Sequence, residues 1–182
     1  MVTSEIQGSL DGHGLRIGIA VARFNQFITS RLFEGARAAL AKQGVADDDI
    51  TISTVPGSFE LPLVAKKMAE SGRFDAVVCL GAVIRGETDH YEHVAGQAAK
   101  GIAEAGLASG VPVIFGVLTT DTVDQAISRS GGETGEFVDK HLEQRKPDPA
   151  AKGHGAEQGN AGYSAALVAI EMVNLLRELD SG

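Results

Sequence analysis

The chain contains a single cysteine, no long apolar run and an excess of acidic over basic residues. Cys79 cannot form an internal disulfide and is most simply a small core residue. No run approaches the roughly 20 apolar residues that a membrane-spanning helix needs, and the N-terminus does not have the charged-then-apolar pattern of a signal peptide. These absences predict a cytoplasmic protein with no membrane segment.

Charge and motif content exclude several further classes of function. The 16 Lys and Arg residues against 24 Asp and Glu residues give a net charge of -8, which argues against nucleic acid as a partner. His90 and His93 are three apart on one predicted helix, but a third ligand is not evident, so no metal is expected. A nucleophile elbow is absent, and the glycine groups do not open a helix after a strand, which excludes a dinucleotide fingerprint.

What is present is a regular alternation of strand and helix patterns in a chain of 182 residues, the size of one domain. The predicted strands cover residues 15–22, 50–55, 76–83 and 111–117. Each predicted strand is followed by a helical pattern, and these four helices end near residues 40, 71, 107 and 129. A last helix covers residues 163–179. Thr29 or Ser30 is expected to cap the first helix. This alternation predicts an α/β fold, a three-layer sandwich with a four-stranded parallel sheet flanked by helices.

Two segments fall outside the alternation. Residues 1–14 are polar and contain glycine, and residues 131–162 hold seven of the 23 glycines without a helical or strand period. A loop of that length is usually functional or disordered. We therefore expect one domain over residues 1–182, with an N-terminal arm at 1–14 and a long exposed loop at about 131–162.

The residues near the ends of the predicted strands are expected to form one site, because the carboxyl ends of parallel strands meet at one edge of the sheet. These residues are Phe24, Ser58, Phe59, Glu60, Glu87, Thr88, His90, Phe115 and Arg129. Structural alternatives exist: Ser58 and Glu60 could cap a helix, His90 could begin a surface helix, and Arg129 could be an ordinary solvated residue. Together the groups imply a flat ring with a polyol arm and a small phosphorylated partner.

Five segments in this order resemble the 6,7-dimethyl-8-ribityllumazine synthase family, namely residues 22–29, 55–62, 80–94, 115–122 and 169–176. The resemblance implies a flavodoxin-like topology and a transferase of riboflavin biosynthesis that uses no cofactor. The implied reaction condenses 5-amino-6-(D-ribitylamino)uracil with 3,4-dihydroxy-2-butanone 4-phosphate. It yields 6,7-dimethyl-8-ribityllumazine and releases phosphate and water.

The resemblance also implies a role for each site residue. Phe24 stacks on the pyrimidine ring, and the backbone of residues Ala82, Val83 and Ile84 lines the pyrimidine pocket. The ribityl arm and the ring edge are held by Ser58, Phe59 and Glu60. Glu87 and Thr88 contact the phosphorylated ketose, and Arg129 pairs with its phosphate. His90 transfers protons. Phe115 reaches the site of a neighbouring subunit.

The same resemblance implies an oligomeric assembly, and it also reveals one position at which this chain differs from the family's usual sequence. The family forms homopentamers with active sites between subunits and sometimes larger shells, and the arm at 1–14 is expected to pair with a neighbour's sheet edge. The long loop should obstruct shell packing, so a pentamer or a pair of pentamers is expected. The family usually has Lys where this chain has Ala161, and residues of about 133–158 are inserted before it. Either Lys152 restores the charge or Arg129 suffices.

Two alternatives remain beside the enzyme. A non-catalytic shell-forming or flavin-binding relative of the same fold is favoured by Ala161 and the insertion, and opposed by His90, Arg129 and Glu60. A flavodoxin-like electron carrier or a receiver domain would need a flavin phosphate loop or an acidic phosphorylation pocket, and neither pattern is visible.

Overall fold

The computed structural model describes residues 5–132 and 159–181. Its four strands are β1 (Ile17–Ala22), β2 (Ile50–Val55), β3 (Ala76–Ile84) and β4 (Val113–Thr120). They form one parallel sheet in the order β2-β1-β3-β4. The predicted four-stranded parallel sheet is confirmed, and this strand order is that of the flavodoxin-like topology.

Five helices cover the two faces of the sheet: α1 (Gln26–Lys42), α2 (Leu61–Ala69), α3 (His90–Ser109), α4 (Val123–Arg129) and α5 (Ala161–Ser181). Residues of α1, α4 and α5 share one buried cluster, while residues of α2 and α3 share the other. The sheet therefore lies between two helix layers, and the three-layer sandwich is confirmed.

The central strands β1 and β3 direct alternate side chains into the two cores. Ile17 and Ile19 join the α1 and α5 side, whereas Ala20 and Ala22 join the α2 and α3 side. Burying one large aliphatic side chain contributes about 1.5–3 kcal/mol, so these two clusters hold the layers together. Cys79 is buried in β3, which raises the pKa of its thiol to about 12 and leaves the thiol protonated at neutral pH.

Two predicted boundaries were wrong, namely the start of the first helix and the end of the fourth strand. Helix α1 begins at Gln26, so neither Thr29 nor Ser30 caps it, and Thr29 is buried inside the helix. Strand β4 begins at Val113 and continues to Thr120, three residues past the predicted end at residue 117, and Phe115 lies within the strand. Apolar periodicity shows which face of an element is buried, but it does not locate the ends of that element.

Ser130 and Asn160, which lie on either side of residues 133–158, meet in the fold. Ser130 and Asn160 form an antiparallel bridge, and Asn160 Nδ2 donates to the carbonyl oxygens of Ser130 (2.7 Å) and Arg31 (2.8 Å). Asn160 Oδ1 accepts from the backbone N–H groups of Gly162 and Tyr163. Asn160 thus joins α1, α4 and α5 at the base of the loop. Lys152 and the rest of residues 133–158 lie outside the described residues.

Part of the expected N-terminal arm packs on its own chain. Asn174 Nδ2 donates to the carbonyl oxygens of Ser9 and Asp11, each at 2.9 Å, and the Gly12 N–H donates to the Gln43 carbonyl at 2.8 Å. The segment that could reach a neighbouring subunit is therefore shorter than the predicted residues 1–14. Its pairing with a neighbour's sheet edge stays a prediction.

Candidate functional site

A cavity of about 620 Å³ opens at the carboxyl ends of β1, β2 and β3. In the strand order β2-β1-β3-β4, the chain passes from β1 to its neighbour β2 at one edge of the sheet, and from β3 to its neighbour β4 at the other edge. The direction of the connections therefore reverses between β1 and β3. Ligands of open parallel sheets bind at such a reversal of strand order. Nine of the twelve predicted site residues line this cavity: Phe24, Ser58, Phe59, Glu60, Ala82, Val83, Ile84, Thr88 and His90.

The turn that carries Ser58 and Glu60 is seated by two glycines. A 3₁₀ turn over Ser58–Glu60 leads directly into α2. A Cβ on Gly81 of β3 would lie 2.5 Å from Ser58 Oγ, and a Cβ on Gly101 of α3 would lie 2.6 Å from Pro62 Cβ. The turn therefore packs closely on β3 and the start of α2 packs closely on α3, and a side chain at either glycine would force a shift.

Helix capping does not account for Ser58 and Glu60. Ser58 lies inside the 3₁₀ turn, whose cap position is Gly57. Glu60 holds the cap position of α2, yet its side chain makes no capping hydrogen bond to any described residue. Both residues line the cavity, and a hydroxyl and a carboxylate are groups that can bind hydroxyl groups of a ligand.

Two aromatic rings stand at the mouth of the cavity. Phe24 is 69% exposed and Phe59 is 55% exposed, although both are large apolar side chains. The Arg23 and Phe24 N–H groups donate to the carbonyls of Val55 and Pro56 at 2.8 and 3.0 Å, which joins the exits of β1 and β2. Exposed rings on a fixed backbone offer a flat apolar surface to a planar ligand.

His90 is the first residue of α3 and lies on the cavity wall. His93, one turn further along α3, is exposed and is not among the described residues that line the cavity. The two histidines thus share a helix and differ in their access to the cavity, which makes them a natural pair for comparison.

Arg85 is the first residue of the connection between β3 and α3, and its side chain bonds to residues after β4 and in α3. Its Nε donates to Asp121 Oδ1 at 2.8 Å, its Nη1 donates to Glu92 Oε1 at 3.4 Å, and its guanidinium lies 4.4 Å from the Tyr91 ring centroid. The hydrogen bonds to Asp121 and Glu92 raise the pKa of Arg85 above its ordinary value. Arg85 joins the ends of β3 and β4 to α3 and so frames residues 86–89.

Phe115 and Arg129 lie elsewhere in the subunit. Both line a second cavity of about 860 Å³, which is bordered by β4, α4 and the start of α5 and also by Ala161. In the described part of the chain the two cavities share no lining residue. Among the described residues that line the second cavity, Arg129 is the only Lys or Arg. Glu87 is exposed and is not among the described residues lining either cavity.

Arg129 reaches its place through a local signal that the sequence carries. Thr122 Oγ1 accepts from the Gln125 N–H at 3.1 Å, and Gln125 Oε1 accepts from the Thr122 N–H at 3.3 Å. This capping box begins α4 right after β4, and Arg129 ends the helix two turns later. The short helix therefore carries the guanidinium to the border of the second cavity.

The family model of 6,7-dimethyl-8-ribityllumazine synthase matches residues 14–177, most of the chain. The chain belongs to this family. A 6,7-dimethyl-8-ribityllumazine synthase of Syntrophus aciditrophicus (strain SB) is 50% identical over 173 residues, which are 95% of this chain and 97% of that protein. The predicted family is confirmed, and with it a transferase of riboflavin biosynthesis.

Several features of this candidate site were missed by sequence reasoning. Asn25 and Tyr91 also line the first cavity, and Arg85, just before the lining residue Gly86, is bonded to Asp121. All three lie inside segments that resemble the family, at 22–29 and 80–94. Their position next to the predicted site residues was the signal that could have identified them. Across residues 5–132 and 159–181, no cluster of three His, Cys, Asp or Glu could hold a metal, and no helix is long and apolar enough to cross a membrane.

Proposed function

We propose that this protein condenses 5-amino-6-(D-ribitylamino)uracil with 3,4-dihydroxy-2-butanone 4-phosphate, and that the aminouracil binds in the 620 Å³ cavity. The observation that carries the proposal is the convergence of nine predicted residues on this cavity, in a chain that belongs to the family. No cofactor is needed for such a condensation.

The two parts of the aminouracil correspond to two parts of the cavity wall. The Phe24 ring is the stacking surface for the pyrimidine, and the backbone of residues 82–84 faces its polar edge. Ser58 and Glu60 are the groups for the ribityl hydroxyls, with Phe59 beside them. Carboxylate and backbone groups in a restricted space can distinguish a polyol arm from a simple alkyl chain.

The chemistry requires proton transfers and neutralisation of phosphate. The amine attacks the ketone and forms an imine with loss of one water. The imine then eliminates phosphate, the enol that remains tautomerises to a ketone, and the ribityl-bearing nitrogen attacks this ketone to close the ring with loss of a second water. His90 is the group proposed to move the protons, because an imidazole exchanges protons near neutral pH. Glu87 and Thr88 are proposed to meet the ketose. Holding both substrates in register supplies much of the acceleration.

The phosphate wall is proposed to come from a neighbouring subunit. Phe115 and Arg129 line a cavity separate from that of His90, so one chain alone does not unite the two walls. A head-to-tail contact that sets the second cavity of one subunit against the first cavity of the next would unite them, and such contacts close into rings. We propose a homopentamer, or a pair of pentamers, built in this way.

Because position 161 is Ala, we propose that Arg129 is the main residue that binds the phosphate. Ala161 borders the same cavity as Arg129 and offers no charge where the family usually has Lys. A guanidinium can bind phosphate with two parallel hydrogen bonds, so we propose that Arg129 suffices.

The single domain over residues 1–182 and the cytoplasmic location stay proposals.

The competing candidate is a non-catalytic relative that keeps the fold and binds a flavin or lumazine, and Ala161 is the observation that favours it. The test is a turnover assay on purified protein with both substrates, monitoring the lumazine chromophore and inorganic phosphate together. We expect one phosphate for each lumazine at a rate well above the spontaneous reaction. Ligand binding with only the spontaneous rate would establish the non-catalytic relative.

A further inference from the structure

Asn25 has an unusual backbone at the edge of the first cavity. Its φ of 58° and ψ of 45° lie in the left-handed region, and it is the only non-glycine residue with positive φ in residues 5–132 and 159–181. Such conformations are unfavourable for L-residues and occur mainly where the surrounding structure imposes them, often at functional sites. Asn tolerates this region better than most side chains do.

The side chain of Asn25 is directed across the sheet and not to its own helix. Asn25 occupies the cap position of α1, but its side chain makes no capping hydrogen bond within the described chain. Instead Nδ2 donates to the carbonyl oxygen of Ala82 at 2.9 Å. The last β1–β3 pair joins Val21 and Leu80, so Ala82 lies two residues past the end of that ladder. The Asn25 amide thus extends the connection of β1 to β3 beyond the strand.

This contact spans the reversal of strand order where the cavity opens. On one side of Asn25 is Phe24, whose N–H is bonded to Pro56, and on the other side the carbonyl of Asn25 accepts from Ile28 and Thr29 to begin α1. Ala82 begins the stretch of β3 backbone that lines the cavity. The Asn25 amide is therefore the side-chain link between the Phe24 wall and the Ala82–Ile84 wall.

We propose that Asn25 is a positioning residue that fixes the separation of these two walls for a planar ring. This inference rests on the proposed function, since it takes the aminouracil as the ligand of the cavity. Asn25 acts here through Phe24 and Ala82. Its loss should therefore weaken binding of the ring substrate and leave the ketose phosphate, held by another wall, nearly unaffected.

The test separates the backbone requirement from the hydrogen bond. Asn25→Gly retains the left-handed turn and loses the amide, whereas Asn25→Asp retains the shape and sets an acceptor against the Ala82 carbonyl. We expect both variants to raise the KM for the aminouracil about tenfold, as the loss of one well-made hydrogen bond does, with kcat and the KM for the ketose phosphate within about twofold. Equilibrium binding of 6,7-dimethyl-8-ribityllumazine, followed by fluorescence, should weaken in parallel.

A core substitution serves as the control for general loosening. Ile102 is buried in α3 and is not among the described residues lining the cavity, so Ile102→Val should lower the Tm without changing the aminouracil KM. Wild-type affinity for the lumazine in Asn25→Gly, or an equal loss of affinity in Ile102→Val, would overturn the proposal. Lumazine binding by the wild type without turnover would instead contradict the proposed function and leave the Asn25 comparison valid.

Discussion

The hydroxyl of Ser58 lies against the backbone of Gly81, at a separation that leaves no space for a Cβ. The contact presses the turn before α2 onto β3 and brings Ser58 and Glu60 to the cavity. A glycine inside a strand weakens the strand, and here the close approach of another segment explains its presence.

Replacing Gly81 with alanine should disturb the site more than the fold. The new Cβ would lie 2.5 Å from Ser58 Oγ and 3.1 Å from Leu61 Cδ1, so the turn has to move. We expect a loss of about 1–3 kcal/mol in the free energy of unfolding and a higher KM for the aminouracil. Urea unfolding and steady-state kinetics measure the two effects.

Gly96→Ala is the matched control, because a Cβ on this exposed α3 residue would meet no described atom within 4 Å. It should stabilise the helix by up to about 1 kcal/mol and leave the KM unchanged. If Gly81→Ala lost stability but kept the wild-type aminouracil KM, the turn would not hold the ribityl arm.

His90→Ala should slow the condensation and spare ligand binding. Loss of one general acid–base group typically costs about 10²–10⁴-fold in rate, and the imidazole is not expected to carry much of the binding. The rate should be measured after subtraction of the spontaneous reaction, and the affinity for the lumazine should be measured beside it. His93→Ala, on the same helix, should behave as the wild type. An unchanged kcat in His90→Ala would mean that another group or water carries the proton.

The sequence predicted the cavity more completely than it predicted the whole site. Phe24, Ser58 and His90 follow different strands, and because parallel strands end at one edge, the predicted strand positions were enough to bring them together. The contacts of Gly81 and the left-handed backbone of Asn25 depend on which segments meet in three dimensions, and no local pattern reports that. The same limit explains why Thr29 was mistaken for a cap.

The second cavity shows a further limit. The resemblance assigned Phe115 to a neighbour's site and Arg129 to the phosphate, but it did not show that both border one cavity apart from His90. That separation depends on α4 and α5 packing beside β4 at the base of an insertion. Such an arrangement is a property of the folded chain and is not encoded in any single motif.

Arg129→Ala should raise the KM for the ketose phosphate far more than that for the aminouracil, because we propose that the guanidinium binds only the phosphorylated substrate. Arg129→Lys should restore part of the affinity, since a point charge cannot form the bidentate pair. Arg177→Ala, which removes an exposed Arg whose Nη2 lies 3.5 Å from Asp75, serves as the control. Equal changes in the two KM values would contradict the assignment of Arg129 to the phosphate.

Acid should destabilise the protein partly through Asp75. Burial raises the pKa of Asp75, but hydrogen bonds from Arg16 outweigh burial and hold it below the ordinary value of 3.8. A carboxyl with a lowered folded-state pKa contributes stability above its unfolded pKa, and this contribution is lost as the pH falls through the folded pKa.

Asp75→Asn should therefore cost about 1–3 kcal/mol at pH 7 and flatten the loss of stability between about pH 5 and pH 2. Urea midpoints across that range measure the effect. Asp47→Asn is the control, because its carboxylate is exposed and lies 3.5 Å from the exposed Arg37 guanidinium. A pH profile for Asp75→Asn parallel to that of the wild type would show that other carboxyls dominate.

We propose that the His90 and Arg129 of one active site belong to different subunits, and subunit mixing tests this arrangement. His90→Ala and Arg129→Ala chains carrying different tags are coexpressed, and assemblies containing both are purified and assayed at low ketose phosphate. Each variant alone should be nearly inactive under these conditions. Random mixing should restore both groups at about one site in four, so we predict about a quarter of the wild-type rate. A mixed assembly no more active than the average of the two variants would contradict the account, because both groups would then act within a single chain.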